Sequence, residues 1–251
     1  MRMMVSVAAL AMAAACTNSV AQESQAPPRD SVAEARNQAV PASRDYDLSG
    51  FDRVSLATPD TVEIVRSGTF AVRATGNSDI LDELALSVED GVLRIEYRED
   101  HDRRWTRRGG RPATIAVTMP SLNGVSLAGS GDIRIGRFTA RDFEASIAGS
   151  GNIVIESLQT DRAEFEIAGS GDLSVAGTAG EVELEIAGSG DVAAGDFRTR
   201  RLDVDIAGSG DVLAYATETV EASFVGSGDV TVRGGARCRS STIGSGRLHC
   251  S

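Results

Sequence analysis

Gly-Ser-Gly recurs seven times in this 251-residue chain, at 129–131, 149–151, 169–171, 188–190, 208–210, 226–228 and 244–246. The spacings are 20, 20, 19, 20, 18 and 18 residues, and the triplets hold 14 of the 27 glycines. A period near 19 is too short for one copy to bury an apolar face of its own. Copies must therefore stack. Glycine suits a corner where the backbone takes positive φ or passes close to its neighbour.

The residues around each triplet give the strands. Two before the first glycine stand Leu127, Ile147, Ile167, Ile186, Ile206, Phe224 and Thr242. Four after it stand Ile133, Ile153, Leu173, Val192, Val212, Val230 and Leu248. Apolar and polar positions alternate on both sides, the period of a half-buried strand. Strand, corner and strand repeated in register predict an all-β parallel β-helix, or β-solenoid. It would have about seven Gly-Ser-Gly-cornered rungs, roughly 4.8 Å apart. A β-sandwich is the alternative, but it has no need of one corner tripeptide seven times.

The chain divides into four parts. Residues 1–16 read as a secretory signal, with Arg2 ahead of an apolar run from Val5 to Ala15. Ala13-Ala14-Ala15-Cys16 resembles a lipobox, which makes Cys16 the expected lipidation site; cleavage after Ala21 is the competing reading. Residues 17–44 are polar and carry Pro27, Pro28 and Pro41, as a disordered tether would. Residues 45–120 alternate less regularly and are expected to be early rungs or a cap, with one helical turn from Asp79 to Leu84. Residues 121–251 are the repeat.

An alternating segment leading into Val117-Thr118-Met119-Pro120-Ser121-Leu122, then a Ser/Ala-Gly-Ser-Gly-Asp ladder behind a leader, resembles the bacterial "putative auto-transporter adhesin, head GIN domain" family. The resemblance covers about residues 48–250. It implies a right-handed β-helix at the cell envelope, in the periplasm or on the outer surface. It carries over no catalytic residue.

Charge excludes several functions. The net charge is −11, and all 25 basic residues are arginine. That argues against a nucleic-acid partner, which needs a basic footprint, and removes every lysine-based chemistry. The acids fall into columns. Asp132, Asp172, Asp191, Asp211 and Asp229 follow the triplets, with Asn152 in the same column. Glu144, Glu164, Glu183, Asp203 and Glu221 precede them by five residues, and Glu166, Glu185 and Asp205 by three. By alternation these side chains face outward. Like charges about 5 Å apart repel by roughly 0.8 kcal/mol in water, so something must offset the columns. Three readings arise. The post-triplet Asp caps backbone N–H groups in an Asx-type turn. Ca²⁺ bridges neighbouring carboxylates. Or the acidic face docks a basic partner. No metal is assigned, because the sequence lacks the Gly-Gly-x-Gly-x-Asp calcium repeat.

Residues 98–111 contrast with this. Arg103, Arg104, Trp105, Arg107 and Arg108 form a candidate anion site, or a means of pairing with another copy in a homo-oligomer. Cys238 and Cys250 lie in opposite inward columns of the last repeat, and an exported chain would oxidise them to a disulfide. Facing sheets are about 10 Å apart, whereas a disulfide needs Cα atoms within about 7 Å, so the final rung must taper. No catalytic residue is expected: the acids form uniform ladders rather than one convergent cluster. The sequence thus points to an exported, non-enzymatic binding or adhesion protein for an envelope glycan or protein. It would touch the membrane only by a lipid anchor. A structural lipoprotein without a ligand and a polysaccharide-active enzyme are the alternatives.

Overall fold

The computed structural model describes residues 40–98 and 111–251. It is 73% strand and forms a β-solenoid of about six turns. Two columns of parallel strands run along it. The first stacks β6 (Val92–Tyr97), β2 (Arg53–Leu56), β8 (Gly124–Gly129) and β10 (Asp142–Gly149). It continues through the second halves of β11 (Asn152–Gly169), β12 (Leu173–Gly188), β13 (Val192–Gly208) and β14 (Val212–Gly226), and ends at β16 (Arg237–Gly244). The second stacks β7 (Thr114–Met119), β3 (Thr61–Arg66), β9 (Asp132–Thr139), the first halves of β11 to β14, then β15 (Asp229–Arg233) and β17 (Arg247–Cys250).

Register follows the apolar periodicity. Ile147, Ile167, Ile186, Ile206 and Phe224 are direct neighbours down one wall, and all are buried. Ile133, Ile153, Leu173, Val192, Val212 and Val230 line the other. Slipping any strand by one residue would turn its aliphatic set to water, which fixes the register. Between the two columns a shorter stretch of each turn adds Phe138, Leu158 and Phe197 to the same core. Phe197 reaches Phe165 across the interior, ring centroids 6.0 Å apart.

The N-terminal part is both rung and cap, and its layers are out of sequence order. The β2–β3 rung comes first in the chain, yet it lies between the β6–β7 rung and the β8–β9 rung. Beyond it the sheet turns antiparallel. β4 (Ala71–Asn77) pairs with β7, β1 (Pro41–Tyr46) with β4, and β5 (Leu84–Glu89) with β6. Between β4 and β5 sits α1 (Ser78–Glu83), started by the Asn77 side chain, which accepts from the Asp79 N–H. This differs from the sequence expectation at one boundary. Residues 41–44 belong to β1 rather than to the tether. Antiparallel pairing with β4 and the Arg44–Asp82 ion pair at 2.6 Å hold them.

At the other end the aliphatic ladder gives out. Ser240 and Thr242 occupy inward positions, and most of β16 is exposed. Cys238 and Cys250 close this end as a disulfide, with Cα atoms 6.7 Å apart. The taper that the sequence required is therefore present.

Candidate functional site

The corner is a hydrogen-bonded seam. From the second triplet on, each serine donates its backbone N–H to the first glycine carbonyl of the preceding copy. Ser150 to Gly129, Ser170 to Gly149, Ser189 to Gly169 and Ser209 to Gly188 all measure 2.8 Å. First glycines from Gly129 to Gly244 hold φ between +108° and +148°, a region closed to most residues with a Cβ. In the earliest rung the corner is Thr58-Pro59-Asp60 instead. Asp60 is fully buried there, and its Oδ1 accepts from the Ala113 N–H at 2.7 Å. Burial first, then the Asp60 carboxylate, push the Tyr97 phenol well above its ordinary range, so it stays neutral.

The post-triplet Asp column extends the seam, but not as a local turn. Each side chain reaches to the next rung. Asp172, Asp191, Asp211 and Asp229 supply Oδ1 to the backbone N–H of Asp191, Asp211, Asp229 and Arg247, at 3.0, 2.8, 2.9 and 3.0 Å. Asn152 accepts in the same way from Asp172 and donates Nδ2 to Asp132 Oδ1 at 3.0 Å. One carboxylate per rung thus satisfies one backbone donor. Among the described residues no three His, Cys, Asp or Glu side chains converge as a metal site. Asp191→Ala is expected to cost about 1 kcal/mol, whereas Asp191→Asn should cost little, since Asn152 already does this job. Thermal melting of the two variants checks this.

The Glu column lies on the outer surface of the first strand column. Glu144, Glu164, Glu183, Asp203 and Glu221 are direct register neighbours. Arginine closes both ends. Arg53 reaches past Gly124 to Glu144 at 2.9 Å, and Arg239 approaches Glu221 at 3.7 Å. Sequence reasoning missed Arg53 because it stands in the rung without a Gly-Ser-Gly corner. On one flank, Arg162, Glu181, Arg201 and Glu218 form an ion-pair chain. The middle acids Glu164, Glu183 and Asp203 have no ion pair among the described residues, and Glu166, Glu185 and Asp205 lie beside them.

Electrostatics follows from that crowding. Partial burial, then the neighbouring carboxylates, push Glu164 above the ordinary carboxylate range; Asp203 is raised by burial, then by Asp205, Glu221 and Glu183. The folded state therefore holds these protons more tightly than the unfolded chain. Their support for folding is full below the ordinary carboxylate range and is lost as pH rises through the raised values. Glu164→Gln should accordingly melt higher than the parent at pH 7, by roughly 0.5 kcal/mol of relieved like-charge contact. The gain should vanish towards pH 4; melting curves across that range check it.

Cys16, Arg103, Arg104, Trp105, Arg107 and Arg108 lie outside the described residues. Among the described residues no helix is long and apolar enough to cross a membrane.

Comparison with known proteins agrees with this architecture. A putative adhesin from Bacteroides fragilis is 25% identical, with a TM-score of 0.76 over 84% of this chain and 97% of that one. A putative lipid binding protein from Parabacteroides distasonis is 24% identical, with a TM-score of 0.68 over 84% and 96%. A putative adhesin from the same species is 19% identical, with a TM-score of 0.66 over 86% and 98%. The last two speak to the fold alone. No curated protein matches. The family model described as "Putative auto-transporter adhesin, head GIN domain" matches residues 50–236, which leaves β17 and Cys238–Cys250 beyond the match. The chain belongs to that family of adhesin-like, β-solenoid proteins.

Proposed function

We propose that this chain is an exported, lipid-anchored binding module of the bacterial envelope, and that its acidic sheet face docks a basic partner. The observation that carries the reading is the central block of Glu164, Glu183 and Asp203 beside Glu166, Glu185 and Asp205. These carboxylates repel one another one rung apart, and a cationic surface would relieve the repulsion. The repeat presents the same group on successive rungs, so many weak contacts add as one. The adhesin-like family supports a non-enzymatic role. A chain so charged should also associate faster at low salt.

The test is a binding screen of the full chain against envelope proteins and glycans, at two salt concentrations. Capture of a basic component that weakens as salt rises, with the component released unchanged, is the expected result. No capture, or chemical turnover of the captured component, would overturn the reading. The anchor is tested separately: radioactive palmitate should label the parent and fail to label Cys16→Ser.

A further inference from the structure

The last rung of the stack ends in an open edge. Among the described residues β16 pairs with β14 alone and β17 with β15 alone. The far side of such a strand carries backbone N–H and C=O groups that a further extended backbone matches group for group. Charge also sets this rung apart. Residues 230–251 hold Arg233, Arg237, Arg239 and Arg247 and no acid, in a chain of net charge −11. Arg239 meets Glu221 below it at 3.7 Å. Arg237 stands over Thr219 and has no ion pair among the described residues. Ile243, farther along β16 on the same surface, is 73% exposed.

The interior of the stack shows what such an arginine accepts from the next rung. Glu181 lies between Arg162 one rung below and Arg201 one rung above, at 3.6 and 3.5 Å. Arg237 belongs to that same register column, two rungs beyond Arg201. Arg239 ends the neighbouring column that runs from Glu144 to Glu221. A strand laid on β16 in the register of the stack would therefore set one carboxylate over Arg237 and a second, two residues on, over Arg239. It would also cover Ile243. A second copy of the same edge fits poorly, because its only charged side chains are arginines and like charges across a strand pair destabilise it.

We infer that the open edge of β16 is a strand-addition site for an extended acidic segment of a partner protein, with carboxylates two residues apart over Arg237 and Arg239. The Cys238–Cys250 disulfide ties β16 to β17, so the edge is ordered before the segment arrives and less freedom is lost on binding. This site is separate from the block of Glu164, Glu183 and Asp203 and takes a ligand of the opposite charge.

The probe is a labelled synthetic peptide with the sequence of residues 180–188, whose Glu181, Glu183 and Ala187 would fall over Arg237, Arg239 and Ile243 in the register of the stack. Two further peptides separate charge from strand pairing. One carries glutamine at Glu181, Glu183 and Glu185. The other keeps all three acids but has proline at Leu184 and Ala187, which removes a backbone donor from each of its edges. Fluorescence anisotropy with the full, oxidised chain reads affinity, and hydrogen exchange locates the contact. Expected are saturable binding of the acidic peptide, slower exchange in β16, and affinity about tenfold lower in Arg237→Ser/Arg239→Ser, as for the loss of two exposed ion pairs. The glutamine and proline peptides should also bind more weakly. Melting at the parent temperature confirms that the variant is folded; if it is not, Arg237→Gln/Arg239→Gln serves in its place, with the same loss expected. Failure of the acidic peptide to bind overturns the inference. So does unchanged affinity in the folded variant, equal affinity for the proline peptide, or protection confined to another surface.

Discussion

Gly208→Ala is expected to unfold the repeat or to lower its stability by more than about 4 kcal/mol, the range reserved for strain and steric overlap in a packed site. At Gly208 φ is +148°, and a Cβ would land on the carbonyl oxygen of Gly188 in the rung below. That oxygen is not free to retreat, because it accepts the Ser209 N–H at 2.8 Å. Both neighbours of the contact are backbone, so no rotamer change can open room. Gly129→Ala is the internal control. Its φ is also positive, at +108°, but nothing lies within 4 Å of the added carbon. That substitution should cost only the conformational strain, about 1–2 kcal/mol. The gap between the two variants in denaturant unfolding measures how tightly successive corners stack. If both lose the same amount, the corners do not touch.

The second large effect is at the far end. Reducing Cys238–Cys250 should cost the terminal turn about 3 kcal/mol, from the freedom restored to a short closed loop. The two cysteines are 12 residues apart and half-buried, and their turn, though paired to the rung beneath, buries few apolar side chains. Ser240 and Thr242 stand where other rungs carry aliphatic side chains, and Ile243 is 73% exposed. Release of this turn would uncover Val230 and Phe224 beneath. Hydrogen exchange should therefore show reduction exposing the amides of β16 and β17 first, with β11 to β13 unchanged. Uniform exchange across the repeat would show that the disulfide governs the whole solenoid instead.

The repeat was legible because its signals agree at every level. The glycine spacing, the period-two aliphatic pattern and the outward acids all specify one register, and the strand pairs follow it from β8 to β14. The disulfide followed from the inward columns of Cys238 and Cys250 together with the oxidation expected of an exported chain. Two features were less accessible. The insertion of the β2–β3 rung between later segments leaves no trace in local pattern, since each strand alternates normally wherever its neighbours come from. For the post-triplet Asp the sequence offers a local turn as one of three readings, because Asp commonly caps its own backbone. In the stack, the next rung's N–H lies within the same reach and donates to it. At Arg53 and Arg239 the residues that close the acidic column lie in the least regular rungs, so a repeat alignment alone could not supply the first of them.

Two kinds of acid are therefore distinguished. The Asp column is a structural seam between rungs, and the centre of the Glu column, which has no ion pair among the described residues, is the surface we propose for a partner. The most direct test places Glu164→Gln/Glu183→Gln/Asp203→Asn beside Asp191→Asn in the salt-dependent capture assay. Loss of capture in the triple variant, with melting equal to or above the parent, and full capture in Asp191→Asn is the predicted outcome. Undiminished capture by the triple variant would contradict the assignment of the acidic face as the docking surface.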